Sequence, residues 1–259
     1  MVNLKDIKLF LLDQDGTLYL SDKPIMGAAA AVKRMRQAGA GVCFLTNNSS
    51  KSSANYLAKL TRLGFEPKQE EIYTSSLATI EYLKQHYPRK KVYLLGTKAL
   101  EIEFLHHGIK VVQKSPDIVV AGYDTELTYQ KLCDACVHIS RGAGYIATHP
   151  DLTCPAEGGL FLPDTGSFIA LINAATGRLP EAVCGKPNAP MADGIKRHFG
   201  FEAPQIAMVG DRLSTDMQFA KDFGFVSILV LSGETTEKML KKSDIKPDLV
   251  LNSVAELRI

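Results

Sequence analysis

Short apolar runs and longer amphipathic stretches alternate along almost the whole chain. Ile7–Leu12 is a mostly apolar run that stops at Asp13. Gly41–Thr46, Gln205–Val209, Val226–Leu231 and Asp248–Leu251 are similar runs, each of strand length. Between them, Ala28–Gln37, Ser52–Leu63, Met191–Phe199 and Thr215–Phe223 carry apolar residues at helical spacing. They stop at Gly39, Gly64, Gly200 and Gly224, the residue that closes helices most readily. The same rhythm runs through the middle, with strands at Val92–Leu95, Ile118–Ala121 and Tyr145–Thr148. Helices there are predicted at Ala99–His107, Tyr129–Arg141 and Ser167–Ala175, and the Pro- and Gly-rich stretch His149–Pro163 reads as irregular. Short apolar strands alternating with helices predict an α/β protein built on a parallel sheet covered on both faces.

Composition narrows this picture. The chain has 259 residues, 46% of them hydrophobic and 22% charged, with 30 Lys+Arg against 28 Asp+Glu. That balance belongs to a globular protein with a full core and argues against a disordered tail or a dedicated nucleic-acid binder. No apolar run reaches the roughly 18 residues of a membrane span, and the first residues lack the pattern of a secretory leader. Five scattered cysteines fit a reduced, cytoplasmic protein.

Four polar clusters each follow a predicted strand, where open α/β sheets bind their ligands. The first is Asp13-Gln14-Asp15-Gly16-Thr17, whose two carboxylates share a strand face. The second, Thr46-Asn47-Asn48-Ser49-Ser50, offers hydroxyls, amides and main-chain N–H groups suited to phosphate. The third is Gly185-Lys186-Pro187, which places a compact cation at a strand end. The fourth, Gly210-Asp211 through Asp216, adds two more carboxylates. Each has a plainer reading: an Asp-Gly turn, a polar helix cap, a surface lysine, or a cap by Asp211 with Asp216 on the helix dipole. Together they say more. Two carboxylates ~4 Å apart repel by roughly 4 kcal/mol at an effective dielectric of 20, so such a group calls for a cation. All-oxygen ligands with a phosphate substrate favour Mg²⁺. Carboxylates, a hard cation, a lysine and a hydroxyl/amide cradle are the parts of a phosphoryl-transfer site.

Asp13-x-Asp15-Gly-Thr, Thr46 after a strand, Lys186 and Gly-Asp211-x-x-x-x-Asp216 stand in the order of the four motifs of the haloacid dehalogenase-like hydrolase superfamily, which the chain resembles almost throughout. Leu45-Thr46-Asn47-Asn48-Ser49, Pro150-Asp151 followed by Glu157-Gly158-Gly159, Ala174-Ala175-Thr176-Gly177-Arg178 and Gly185-Lys186-Pro187 are similar to the NagD-like, or p-nitrophenyl phosphatase, branch. The resemblance implies a Rossmann-like, doubly wound core from residues 1–81 and 184–259. Residues 82–183 would be an inserted α/β cap that selects substrate. It further implies Mg²⁺-dependent hydrolysis of small phosphorylated metabolites. Asp13 would be the nucleophile that becomes an aspartyl-phosphate, and Asp15 the general acid and base. Thr46, Asn47 and Asn48 would hold phosphoryl oxygens, and Lys186 would offset their charge. The metal ligands map onto the Asp13 carboxylate, the Asp15 carbonyl and Asp211, with Asp216 acting through water or orienting its neighbours. Relatives often pair through the cap, so a homodimer through that region is a further expectation.

An acid two residues after the nucleophile suits a leaving alcohol and would be superfluous for a leaving halide. Two other readings use the same parts: a phosphoryl transferase or mutase, and a non-catalytic phospho-accepting signalling domain. This chain departs from the usual pattern of the branch at Thr148-His149-Pro150-Asp151, where the branch usually has Asn before the proline. A loop histidine on the surface is expected at His149, with contact to substrate as the sharper alternative. Cys133 and Cys136 read as buried helical thiols. His106-His107 reads as a basic helix end before Gly108.

Overall fold

The apolar run after Ile7 becomes the strand Leu9–Asp13, whose first four residues are buried with no exposed surface, so neither face of it meets water. The computed structural model describes residues 3–156 and 160–259, which leaves Glu157-Gly158-Gly159 outside the described residues. Contacts divide the chain into two compact units: Met1–Thr46, Tyr56–Tyr73 and Ala192–Ile259 form one, Asn47–Asn55 and Thr74–Met191 the other.

The first unit is built on a six-stranded sheet in the order Leu249–Leu251, Val226–Val230, Ile206–Gly210, Leu9–Asp13, Gly41–Thr46, Ile72–Thr74. The first five of these run parallel. A parallel strand that is not at an edge packs helices on both faces, so its residues are apolar without alternation. The helix Ala28–Gln37 lays Ala28, Ala31, Val32 and Met35 against this sheet, and Phe10, Leu12, Phe44, Val209 and Ile228 share their core. Each fully buried large side chain contributes about 1.5–3 kcal/mol. Register decides where the chemistry goes. Leu12 lies beside Val209 and Asp13 beside Leu45, so the ends of three strands deliver Asp13, Thr46 and the Gly210-Asp211 step to one edge of the sheet.

The second unit has its own five-stranded parallel sheet, ordered Ala182–Val183, Gly144–Ala147, Ile118–Ala121, Lys91–Leu95, Lys110–Val111. Tyr93, Leu95, Val119, Ala121 and Tyr145 pack there with Leu132, Ala135 and Ile139 of the helix Tyr129–Ser140 and Ile172 of the helix Thr165–Thr176. Both units are thus α/β structures on parallel sheets, as the alternation predicts, and the first is of the Rossmann-like type that the resemblance implies.

The structure departs from the sequence reading in four places. Part of the stretch expected to be irregular is an antiparallel hairpin, Thr153–Ala156 with Leu160–Pro163. Leu160 and Phe161 are 63% and 59% exposed there, so no alternation of buried and exposed residues announces the strand. The helix expected from Thr215 instead opens with a π-helical turn, Leu213–Met217, before the helix Gln218–Phe223. The Asp216 carboxylate accepts the Arg212 N–H at 3.1 Å and holds that wider turn. Cys133 and Cys136 are half-buried rather than buried. His149 is fully buried rather than on the surface.

Candidate active site

Three of the expected carboxylates meet. Asp13, Asp211 and Asp216 each offer an oxygen within 4.8 Å of the other two, and Asp211 and Asp216 are buried. Asp211 leaves the end of its strand and accepts the Glu234 N–H at 2.6 Å through Oδ2; it caps no helix. Its other oxygen, Oδ1, is buried and has no hydrogen-bond partner among the described residues. A buried carboxylate oxygen left in this state costs free energy unless a cation or water meets it. Burial first, and then the charge of Asp216, push the Asp211 carboxyl up to about 7; the Glu234 N–H and Arg212 oppose this. Such a donor set fits a small hard cation, which would bind the orphaned oxygen and relieve the mutual repulsion.

Small residues make room for these carboxylates. A side chain at Gly16, Gly210 or Gly233 would fall on Asp211 or Asp216. Gly16 is also required by its backbone, at φ +86°. After Asp13 the chain turns back: Leu18 N–H donates to the Gln14 carbonyl at 2.8 Å, and Gly16 N–H to the Tyr19 carbonyl at 2.8 Å. Gln14 points inward and accepts the Tyr19 hydroxyl at 2.9 Å, while Asp15 on the other side is exposed. The Asp15 carboxylate is not part of the three-carboxylate group among the described residues. Burial, and then the nearby Asp15 charge, hold the Tyr19 phenol well above its ordinary range.

Thr46 ends its strand one position past the neighbour of Asp13 and is buried. The residues after it belong to the second unit and are fastened within it. Ser75 donates its hydroxyl to the Asn47 carbonyl. Ser49 Oγ lies 2.9 Å from Thr148 Oγ1 and accepts the Tyr123 N–H at 2.8 Å. Thr97 donates to the Ser50 carbonyl at 2.8 Å, and Glu103 accepts the Ser53 N–H at 3.1 Å.

Asn47 and Lys186 come together here, through side chain and main chain. Asn47 Oδ1 accepts the Lys186 N–H at 2.8 Å, and Nδ2 donates to the Lys186 carbonyl at 3.0 Å. The remaining Asn47 amide proton faces the Asp151 carboxylate, at 3.2 Å to each oxygen. Asn48 is engaged as well, its Oδ1 accepting the Ser50 N–H at 2.9 Å and hydroxyl at 2.7 Å. Lys186, read in isolation as a surface residue, is only 2% exposed.

A second group lies in the same unit. His149, Asp151 and Asp164 each place a polar atom within 4.8 Å of the others. His149 Nδ1 is 3.5 Å from Asp151, and its Nε2 is 2.9 Å from Thr165 Oγ1 and 3.5 Å from Asp164. Asp164 caps the helix Thr165–Thr176, accepting the Thr165 N–H at 2.6 Å. The sequence singles out His149 and Asp151 but not Asp164 or Thr165, whose only signal is an Asp-Thr pair opening a helix. It also misses the Gly233-Glu234 cradle of Asp211, which follows the Val226–Val230 strand just as the other polar clusters follow theirs.

Residues 10–110 match the family model described as haloacid dehalogenase-like hydrolase, and residues 183–257 match one described as HAD-hydrolase-like. Acid sugar phosphatase of Staphylococcus haemolyticus is 34% identical over 94% of this chain and 92% of its own. The crystal structure of 4-nitrophenylphosphatase from Thermotoga maritima superposes with a TM-score of 0.94 at 41% identity, covering 98% and 97% of the two chains. NagD from E. coli gives a TM-score of 0.89 at 28% identity, covering 97% of this chain and 98% of its own. Four motifs in order, strand ends that deliver them, and likeness over nearly the full length place the chain in the haloacid dehalogenase-like hydrolase superfamily, among the NagD-like phosphatases.

Proposed function

We propose that the protein hydrolyses small phosphomonoesters through an aspartyl-phosphate at Asp13, with Mg²⁺ as its cation. The observation that carries this reading is the three-carboxylate group with its orphaned, buried Asp211 oxygen. The Asp13 carboxylate, the Asp15 carbonyl and Asp211 would hold the ion, with Asp216 orienting them or acting through water. Bound there, the ion would offset the negative charge of the carboxylates and of a phosphoryl group.

The chain's own residues would then act in two steps. Asp13 forms a bond to phosphorus as the bond from phosphorus to the substrate oxygen breaks. Asp15, exposed beside the strand end, gives its proton to the departing alcohol. Asp15 next takes a proton from water, which attacks phosphorus and releases inorganic phosphate and the Asp13 carboxylate. Thr46 and the main-chain N–H groups after it hold phosphoryl oxygens, and Lys186 balances their charge. The Asn47 side-chain amide is engaged with Lys186 and Asp151, so its part in binding phosphate falls to its main chain. Residues 82–183 we read as the cap that selects the substrate. Sugar phosphates and p-nitrophenyl phosphate are the first compounds to test, since phosphatases of those names are its relatives.

Phosphate release from a panel of phosphorylated sugars, and from p-nitrophenyl phosphate, tests the reading. Release that needs Mg²⁺ and stops with EDTA supports it. Transfer of phosphate to an added sugar with no free phosphate would replace it by a transferase, and a stable phosphoprotein without turnover by a signalling domain.

A further inference from the structure

We propose that His149 is a positioning residue: as an imidazolium held between Asp151 and Asp164, it fixes Asp151, which orients Asn47 and thereby the main chain of Lys186. The inference rests on Lys186 acting on the phosphoryl group, as read above.

The path is continuous and lies within one unit. Thr165 Oγ1 sits 3.2 Å from Asp164, within reach to donate its one proton there. His149 Nε2, 2.9 Å from the same oxygen, is then the donor to Thr165. Nδ1 faces Asp151 at 3.5 Å, and a lone pair on that nitrogen would meet the lone pairs of a carboxylate. At 3.5 Å the approach of Nδ1 to Asp151 is an ion-pair distance rather than a hydrogen bond, and a doubly protonated ring would set one positive charge between two negative ones in a buried setting. Burial raises the Asp164 carboxyl, and His149 is the foremost influence opposing that. Among the described residues, the Tyr123 phenol lies near both Asp164 and Cys154.

From His149 the contacts run to Lys186. Asp151 takes the Asn47 amide on both oxygens, and the Gly166 N–H holds the Asp151 carbonyl at 2.8 Å. Asn47 clasps the Lys186 peptide on both its N–H and C=O sides. Gly185 packs so tightly that a Cβ there would lie 2.6 Å from His149 Cβ and 2.7 Å from Asn47 Oδ1. The two ends of the path are therefore also locked by shape. A neutral Asn at 149 could not supply the same charge to Asp151 and Asp164.

The same three side chains have the donor types of a metal site. The close approach of Nε2 to a hydroxyl, with a carboxylate beyond it, favours a proton over a metal on that nitrogen.

Three measurements on the full-length protein test the proposal. Ring nitrogen shifts of His149 at about pH 7 are expected to show both nitrogens protonated. Hydrogen exchange of the Lys186 amide, which Asn47 accepts, is expected to quicken about tenfold in His149→Asn and in Asp151→Asn. The Thr148 amide, held by the Ala121 carbonyl, should keep its protection. Against a phosphate ester that the wild type turns over, both variants should lose about tenfold in kcat/KM, and His149→Gln should not restore it.

A neutral ring at pH 7, a Lys186 amide unchanged in both variants, or stoichiometric zinc lost on substituting His149 would overturn the proposal. If the wild type hydrolyses no phosphate ester, the phosphatase reading fails, while the ring and exchange results still decide the positioning of Lys186.

Discussion

Asp211 shows how a single side chain links stability to chemistry. Its carboxyl is raised to about 7 by burial and then by Asp216, so the metal-free folded protein binds a proton that the unfolded chain, with an ordinary carboxyl, has already lost. The folded state therefore binds more protons between roughly pH 4 and pH 7, and stability falls as pH rises through that window. Thermal unfolding in EDTA should accordingly give a lower Tm at pH 7.5 than at pH 5.5, and saturating Mg²⁺ should remove most of the difference. A Tm that climbs over the same interval would refute the origin given for the shift. Asp13→Asn removes the nucleophile and one of three crowded charges at once. It should lower kcat for phosphate release by at least about a thousandfold while leaving the metal-free Tm equal or higher. At this scale the sequence was only partly readable. Asp13, Asp15, Asp211 and Asp216 stand out because they gather after strands in one succession of motifs, although each alone has a plainer reading as a turn or a cap. The engagement of Asn47 with a lysine 139 positions later, and the burial of His149, depend on tertiary contacts that local spacing does not encode.

At the scale of elements, turns rather than strands set the geometry. Gly16 carries φ +86°, and any side chain there would also collide with Asp211. Gly16→Ala should cost at least about 1–2 kcal/mol from backbone handedness alone, read as a lower Tm, and should cut activity because Asp211 must move. Gly39→Ala, at φ +82° with nothing near its Cβ position, carries the backbone cost alone and should leave activity at the wild-type level. Helices and buried strands were legible because their apolar periodicity is a direct image of burial, as in Ala28–Gln37 with its four core residues. The antiparallel pair of Thr153–Ala156 and Leu160–Pro163 was not, because its ladder satisfies main-chain groups while leaving Leu160, Phe161 and Leu162 largely exposed. The π-helical turn at Leu213–Met217 was not legible either, since it depends on Asp216 reaching back to Arg212.

For the whole molecule, the order of four motifs carried the fold and the family, since each is common alone and their succession is not. No described helix is long and apolar enough to cross a membrane. Ligand linkage gives a test at this scale. Mg²⁺ at 100 times its dissociation constant should stabilise the protein by about 2.7 kcal/mol, and Asp211→Asn should abolish that rise in Tm. An equal rise in the variant would place the ion elsewhere. Passage of phosphate through Asp13 is tested by acid quenching during turnover of a labelled phosphate ester, followed by peptide mapping. Hydroxylamine-sensitive label is expected on the peptide containing Asp13, absent in EDTA and in Asp13→Asn. Full-rate phosphate release by Asp13→Asn, or label on a different residue, would contradict it.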